Sequence, residues 1–392
     1  MLMQSRAVAG VDRVPWCSLA NALRLILHRN GCDADIDDLH AALADPWSFC
    51  AATTDPDAAR WPLYARDRHL VAAGRLFGLT IRPIHPPEAA KGLSDAKEFR
   101  QHFAASYCPL ILRALEHEQP VLAWRGWPGR WDAVWGIIRK PCSGEVGFSG
   151  SITAEGCPTL RGDGPNKSGE GDTLELVSPP TQVYVVERVQ SRKPDPEVLL
   201  HAAFDHARDV LTDGPVEAFG VVAGRSAWDR WLETLARIES EPAGATSTRA
   251  AFATAHALLA RSVVESHQCA ERFLARQSVS ASTVAGVISF STPRMGRTGR
   301  LGEGSTPPHS NVGEDFGARF PAVVDAWRRA CQVVVTYLSA SMDEAAVRDA
   351  IETPHGRRVL RDQIETARDA AGAMLQILKP DDGAECGVPV ST

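Results

Sequence analysis

The stretch from Trp16 to Gly31, WCSLANALRLILHRNG, decides the fold prediction because it places a cysteine where an apolar helix begins. Leucine and isoleucine recur in it at the spacing of one helical face. Pro15 disfavours a helix upstream, and Gly31 suits the left-handed position that ends one. The pattern therefore predicts a buried helix with Cys17 in its first turn.

A cysteine in the first turn of a helix has two interpretations. A thiol there faces the positive end of the helix dipole and free backbone N–H groups, which favour a thiolate and can hold an oxyanion. Cys17 would then be the nucleophile of a thiol enzyme. The other interpretation is that Cys17 is a small apolar residue that covers the end of a buried helix, because free cysteine is among the most often buried residue types.

Composition indicates a globular protein and excludes two classes of partner. The chain has 392 residues, of which 44% are hydrophobic and 23% charged, and this length predicts two domains. The net charge is −6 and the isoelectric point is near 6.1, so we expect neither a general nucleic-acid binder nor a protein of anionic membranes. The oligomeric state is left open.

The amino terminus and the cysteines bear on location and redox state. Residues 1–14 contain charges and no continuous apolar core, so no signal peptide is predicted and we expect a cytoplasmic protein. Nine cysteines are scattered without a CxxC pair, which predicts reduced thiols rather than disulfides or a zinc site. No cofactor and no metal are predicted.

The texture of the sequence changes at the linker 191–196. Residues 1–190 combine helical spacing with strand-like runs, which predicts an α+β domain. Residues 195–380 are rich in alanine at helical spacing and predict an all-α helical bundle, and 381–392 predict a disordered tail. We expect strands at 79–84, 120–125, 133–139, 147–153, 174–177 and 182–187, helices at 197–211, 220–238, 250–277, 320–340 and 344–378, and loops at 45–61 and 291–312.

A cysteine nucleophile needs a base, usually a histidine held by Asp or Asn. Where the strand 133–139 begins, the nearest acid or base is Asp132. His69 and His85 are the histidines that we consider as substitutes, and Asp172 precedes the last pair of strands in the orienting position. The alternative for His85, which lies beside prolines, is an exposed loop residue. His28 and His40 are predicted on the outer faces of helices, where histidine is usually solvated.

Four tryptophans surround one turn and suggest a ligand site. Those on the strands are predicted to fill core, whereas those that flank the turn are predicted to line a groove for an apolar or sugar-like ligand. Arg125 beside the turn would receive a phosphate or carboxylate, with surface solubility as the alternative. Asn21 is placed with this site as a ligand-binding residue. The core pair is Trp124 and Trp135, and the groove pair is Trp127 and Trp131.

Several of these features together resemble a known family. They are Cys17 opening an apolar helix that ends at Gly31, the acidic short helix at 35–43, and the strands that contain Pro120-Val121-Leu122 and Trp135-Gly136-Ile137-Ile138. Together they resemble the N-terminal domain of the butirosin biosynthesis protein H family, a branch of papain-like folds near the double-glycine bacteriocin-processing peptidases. The resemblance covers residues 14–188.

The resemblance implies a papain-like core in which Cys17 is the nucleophile. It implies transfer of an acyl group from a carrier-protein thioester to an amine, so the implied partners are an acyl carrier protein and a small-molecule acceptor. Val134 and its neighbours stand where the peptidase relatives carry their histidine, and no glutamine stands shortly before Cys17. A catalytically inactive papain-like domain that binds a peptide, a carrier protein or a small molecule is therefore the alternative function.

Overall fold

The computed structural model describes most of the chain. The described residues are 18–47, 50–52, 67–84, 96–128, 134–152, 173–190, 192–212, 217–218, 221–241, 246–284 and 312–378. They combine helices with an antiparallel sheet, as the α+β prediction requires.

Helices dominate the described residues. Those before the linker are α1 (Ser18–Arg29), α2 (Ile36–Leu43), α3 (Asp67–Leu76), α4 (Ala96–His102) and α5 (Cys108–Glu116). Those after it are α6 (Pro196–Thr212), α7 (Arg225–Ser240), α8 (Thr246–Val284), α9 (Val312–Leu338), α10 (Glu344–Ile351) and α11 (Pro354–Leu378). A π-helical segment, Phe103–Tyr107, joins α4 to α5, and two 3-10 turns span Asp45–Trp47 and Ser339–Met342.

The strands form two antiparallel sheets. They are β1 (Cys50–Ala52), β2 (Leu79–Pro83), β3 (Val121–Trp124), β4 (Trp135–Pro141), β5 (Phe148–Ile152), β6 (Leu174–Glu175), β7 (Gln182–Val189), β8 (Glu217–Ala218) and β9 (Val221–Ala223). The larger sheet has the order β2-β7-β3-β4-β5-β6, and the smaller one the order β1-β9-β8.

Both faces of the larger sheet are covered, because successive side chains of its central strands point to opposite sides. Leu122 and Tyr184 belong to a core that α1, α2 and α3 share. Val121 and Val185 belong to a second core that α5 and the π-helical segment cover. This burial on both faces explains why the central strands are apolar runs rather than alternating ones.

The first of these cores extends across the predicted linker. Leu39 of α2 lies in one cluster with Phe204 of α6, Leu274 of α8 and Trp327 of α9. The third core belongs to α7–α11, with Trp231 fully buried in it. The helices of the second half therefore cover the N-terminal helices directly, and the packing does not divide at residues 191–196.

The structure corrects the sequence prediction in three places. The predicted loop 45–61 contains β1, which pairs Cys50 with Ala223. The predicted helix 220–238 begins only at Arg225, since β9 precedes it, so the second half is not purely helical. The predicted helix 344–378 is two helices, because the chain turns before Pro354, which starts α11 at a position that proline favours.

The strands predicted in the N-terminal half are confirmed. Each of the six predicted strands overlaps an observed strand, and these are β2 to β7 in chain order. The helix from Ser18 to Arg29 ends at Gly31, whose φ of 77° is the left-handed conformation expected there. The predicted loop 291–312, apart from Val312, and the tail after residue 378 lie outside the described residues.

Candidate functional site

The N-terminal end of α1 is attached to the first residue of β4. Ser18 is buried, and its Oγ accepts a hydrogen bond of 2.9 Å from the backbone N of Trp135. Cys17 directly precedes Ser18 in the chain and lies outside the described residues. The start of α1 is thereby fixed against the first residue of β4.

The first residue of β4 lies at one end of the larger sheet together with the ends of four other strands, and we call this end of the sheet the α1 edge. Trp124, the last residue of β3, pairs with Trp135 on one side and with Gln182, the first residue of β7, on the other. Ile152 ends β5 opposite Gly136, and the backbone N of Ile84, after β2, bonds to Val183 O at 2.9 Å. The α1 edge consists of Ile84, Trp124, Trp135, Ile152 and Gln182.

Two of the predicted catalytic residues, His85 and Asp132, are close in sequence to residues of the α1 edge. His85 directly follows Ile84, and Asp132 stands two residues before Val134. Asp172 stands two residues before Leu174, which pairs with Gly150 near the end of β5. His85, Asp132, Asp172 and the predicted ligand residue Trp131 lie outside the described residues, as Cys17 does.

Two amide side chains are buried at or near this edge. Asn21, a predicted ligand residue, lies on the buried face of α1 one turn after its start. Gln182 is buried at the start of β7 beside Trp124. Gln182 was not predicted from the sequence. The feature that could have revealed it is a polar residue at the start of the apolar run 182–186. A buried amide needs hydrogen-bond partners and is rarely placed there for packing alone.

The groove predicted for Trp127 is wrong. Trp127 is fully buried in the core beneath the sheet, and a Cβ added at Gly136 would lie 2.4 Å from its Cζ2 atom. The indole thus packs flat against the backbone of β4, where only glycine leaves room. The core prediction for Trp124 and Trp135 is confirmed, since both are fully buried and their ring centroids are 5.6 Å apart.

Arg125 directly follows β3 and has an unusual backbone conformation. Its φ is 68°, a left-handed conformation, and its N donates to Val134 O at 3.3 Å. The side chain is half-buried. The kink between Trp124 and Gly126 therefore begins the turn that leads to the residues before β4.

His28 and His69 lie in different environments. His28 is exposed on α1, as predicted. His69 is buried between α3 and α6, with its Nε2 3.7 Å from Asp209 Oδ2 and its ring centroid 5.0 Å from that of His206.

A second polar site lies where α2 packs on α8, and we call it the α2–α8 cluster. Its members are Asp37, His40, Asp45, Cys269 and Arg272. His40 is buried, so the prediction that it lies on an outer, solvated face is wrong: α8 covers the face of α2 that carries it. The Nδ1 of His40 is 2.8 Å from Asp45 Oδ2, and Asp45 is buried as well.

The α2–α8 cluster favours the protonated form of His40. Burial alone would lower the pKa of His40, but the neighbouring Cys269 and Asp45 side chains raise that pKa well above its ordinary value. The His40–Asp45 contact is short without the alignment of a linear hydrogen bond, so we treat it as an ion pair.

Two arginines of α8, Arg272 of the cluster and the neighbouring Arg276, bind Asp37 from the solvent side. Arg272 donates to Asp37 Oδ1 from Nη2 at 2.7 Å and to Cys269 Sγ at 3.1 Å, and Arg276 donates to Asp37 Oδ2 at 2.9 Å. Burial would raise the pKa of Asp37, but these two guanidinium groups hold it below its usual range. The sequence could not show this site, because its two parts are 235 residues apart.

Two further buried histidines on α8 are neutral. Burial lowers the pKa of His256 to about 3, and its Nδ1 accepts a hydrogen bond of 3.0 Å from Trp231 Nε1. Burial also lowers the pKa of His267 to about 4, and its Nδ1 lies 2.8 Å from Val263 O. Burial is the main cause of the lowered pKa in both histidines.

The described ranges of the chain contain neither a metal-binding cluster nor a membrane-spanning helix. No group of three His, Cys, Asp or Glu residues there is arranged to hold a metal ion. No helix there has both the length and the apolar character that crossing a bilayer requires.

Comparison with models of known protein families gave no match, and no curated protein matches the chain.

Proposed function

We propose that the N-terminal part of the chain is a papain-like unit in which Cys17 transfers an acyl group from a thioester to an amine. The observation that carries the proposal is the α1 edge. The hydrogen bond of Ser18 joins the start of α1 to Trp135, and His85 and Asp132 lie within three residues of the same edge in the sequence. An antiparallel sheet packed against a buried helix whose first residue follows a cysteine in the sequence is compatible with a thiol enzyme of this class.

The chemistry has two balanced steps. The Cys17 sulfur attacks the thioester carbonyl, the bond from that carbonyl to the carrier sulfur breaks, and the carrier leaves as a thiol with the proton of Cys17. The acceptor amine then attacks the acyl carbon on Cys17, the carbon–nitrogen bond of an amide forms, the bond from the acyl carbon to the Cys17 sulfur breaks, and the amine's proton returns to that sulfur. In both steps the backbone N–H groups at the start of α1 are suited to hold the oxyanion.

The base is drawn from the residues joined to the α1 edge. Asp132 is the nearest along the chain to the start of β4, and His85 directly follows Ile84. We propose His85 as the proton acceptor, because an imidazole exchanges protons near neutral pH, with Asp132 or Asp172 orienting it. The donor is an acyl carrier protein and the acceptor a small-molecule amine.

One observation favours the alternative, a catalytically inactive domain that binds a carrier, peptide or small molecule. The residues that begin β4, Val134 and Trp135, are buried and apolar. No proton acceptor therefore occupies the strand position at which the peptidase relatives carry theirs. A domain with this substitution would retain the cleft and bind a thioester without reacting.

The test is acylation by an acyl thioester of a carrier or of its pantetheine arm. Purified protein is incubated with the thioester, and mass spectrometry assigns the acyl adduct to a cysteine. We expect the adduct on Cys17 and its loss in Cys17→Ala, whereas Cys32→Ala, which changes a thiol on the loop just after α1, serves as the matched control and retains it. His85→Gln should slow acylation by about a hundredfold.

Two results would contradict the proposal. Acylation that continues unchanged in Cys17→Ala would remove the nucleophile. A thioester that binds, as measured by calorimetry, and never acylates Cys17 would establish the alternative function instead.

A further inference from the structure

A cavity of about 470 Å³ lies where α8 passes the 3-10 turn Ser339–Met342 and the start of α10. The residues of α8 that line it recur every three or four positions, so they share one face of the helix. They are Thr254, Ala257, Leu258 and Arg261. None of the described lining residues belongs to the α1 edge or to the α2–α8 cluster, so the cavity is separate from both.

The two hydroxyl groups on the described lining are available to a ligand only as acceptors. Thr254 Oγ1 donates to Ala250 O at 3.2 Å, and Ser339 Oγ donates to Val335 O. A hydroxyl has one hydrogen to donate, so the carbonyl groups of the helices use both hydrogens. The oxygen lone pairs remain for a ligand.

Two adjacent carboxylates at the start of α10 each keep one oxygen for a ligand. Asp343 Oδ1 caps α10 by accepting from the backbone N of Ala345 at 2.9 Å, and Glu344 Oε1 accepts from Arg348 Nη2 at 2.7 Å. Within the described ranges, no donor binds Asp343 Oδ2 or Glu344 Oε2. Solvent reaches both side chains, since Asp343 is exposed and Glu344 is partly exposed. The cavity therefore presents carboxylate and hydroxyl acceptors together.

The remaining lining adds an apolar surface and a guanidinium group. Ala257 is buried, and Leu258 and Met342 are partly buried. Arg261 also lines the cavity, but it already takes part in an interaction within the protein. Among the described lining residues, two carboxylates are present with one guanidinium, so the net charge of the lining is negative.

We propose that this cavity binds a small primary amine, in its ammonium form, that carries an apolar body. An ammonium group has three N–H donors and a positive charge, which suits a lining of carboxylate and hydroxyl acceptors. The apolar body contacts Ala257, Leu258 and Met342, whose thioether packs favourably against aromatic rings. The volume lies within the range of small-molecule sites. The proposal does not involve Cys17, so it stands or fails independently of the proposed function.

The experiment compares three probes that differ only in their head group. 4-Phenylbutylamine is an ammonium ion at neutral pH, whereas 4-phenylbutanol is neutral and 4-phenylbutanoate is an anion. The full chain is titrated with each compound at low ionic strength, and ligand-observed NMR gives the dissociation constants. We expect the amine to bind at least about tenfold more tightly than the alcohol and the carboxylate to bind most weakly, because only the ammonium group matches the acceptors.

Substitution of the carboxylates locates the bound amine. Asp343→Asn removes the charge and keeps a side-chain oxygen that caps α10, and Glu344→Gln keeps the shape of the side chain. Each should weaken amine binding by about fivefold and leave alcohol binding unchanged, because the ion contacts are partly exposed. The matched control is Asp349→Asn, which removes the same charge from an exposed position of α10 outside the described lining and should bind the amine as the wild type does.

Three results would overturn the proposal. An amine that binds no more tightly than the alcohol, or does not bind, would show that the cavity does not recognise an ammonium group. Unchanged amine binding in Asp343→Asn and Glu344→Gln would place the amine elsewhere on the protein. Equal weakening in Asp349→Asn would show an effect of net charge rather than of contact. Circular dichroism confirms that each variant is folded, and if one of the two cavity variants does not fold, the other decides.

Discussion

Helix α8 contacts buried histidines in opposite charge states. Towards its N-terminal end, His256 accepts a hydrogen bond from Trp231 in an apolar core and is neutral. Towards its C-terminal end, Cys269 and Arg272 meet His40, which is equally buried and protonated beside Asp45. Burial by itself therefore does not set the charge of a histidine. The decisive factor is a buried anion within contact distance, since an unpaired buried charge is far less stable than a paired one.

The comparison also separates two kinds of contribution to stability. The packing around His256 and His267 is favourable as long as both histidines are neutral. The α2–α8 cluster is stabilising only while its charges remain matched, so removing one partner leaves an unpaired buried charge.

The largest expected effect is acid destabilisation from the neutral histidines. Their pKa values, about 4 for His267 and about 3 for His256, lie below the unfolded value of about 6.5. Their stability contribution is therefore present above pH 6.5 and is lost as pH falls towards the folded values. From pH 7 to pH 5 we expect the two together to lower the free energy of unfolding by about 4 kcal/mol.

Urea unfolding at both pH values measures this loss. His267→Leu removes one of the two titrating groups, so its loss between pH 7 and pH 5 should be about half that of the wild type, whereas His28→Gln should behave as the wild type. An equal loss in wild type and His267→Leu would mean that His267 is not buried in the neutral form.

The second effect is breakage of the buried ion pair. Asp45→Asn should lower the free energy of unfolding at pH 7 by about 3 kcal/mol, because it leaves His40 without its anion. The exposed carboxylate of Asp205, paired with Arg208, provides the control, and Asp205→Asn should change little.

The same variant tests the sign of the His40 contribution. Since the folded pKa of His40 is raised, its contribution is fully present below the unfolded value of about 6.5 and is lost as pH rises through the folded value. Wild-type protein should therefore lose stability above pH 6.5 and Asp45→Asn should lose less. Parallel curves in alkaline urea titrations would contradict a protonated His40.

The third effect concerns the apolar core around Trp231 and His256. Trp231→Phe should lower the free energy of unfolding by about 2 kcal/mol, because it removes both indole volume and the donor to His256. Trp228→Phe removes the same volume from the ring stacked on Trp231 without that hydrogen bond and should cost about 1 kcal/mol less. Equal melting temperatures for the two variants would show that the hydrogen bond contributes nothing.

The smallest effect is at the rim of the cluster. Arg276 is 41% exposed and contacts Asp35, Asp37 and Asp38, so Arg276→Ala should lower stability by about 1 kcal/mol after allowance for solvent screening. High salt should reduce the difference from wild type, as thermal melts at two ionic strengths would show. A difference that salt leaves unchanged would point to packing of the arginine stem instead.

The local patterns of the sequence predicted the N-terminal half well. The apolar spacing of α1 and the runs that form the larger sheet are signals within a few residues, and both are confirmed. The α1 edge follows from strand order, which no local pattern specifies. Gln182 was not predicted for that reason. The position of Trp127 was predicted wrongly, because its ring occupies the space left by the missing side chain of Gly136, and this contact is visible only in the folded structure.

Contacts between distant segments could not be predicted. His40 resembles a solvated helix residue until α8 covers it, and the short β1 reads as loop until β9 pairs with it. Three-residue strands carry too little alternation to be recognised. The charged partners of Asp37 lie on a helix whose own spacing predicts only amphipathic packing.

The salt link from Asp37 to Arg272 also has a consequence for synthesis. A ribosome adds about 5 to 20 residues per second, so the 235 residues between the two arrive over about 10 to 50 s. During that interval α2 has left the exit tunnel with a carboxylate and a histidine that later become interior. Until α8 is synthesised, the polar groups of α2 remain hydrated and the core that α2 shares with α8 is incomplete. A chaperone can bind the exposed apolar face of α2 during this interval.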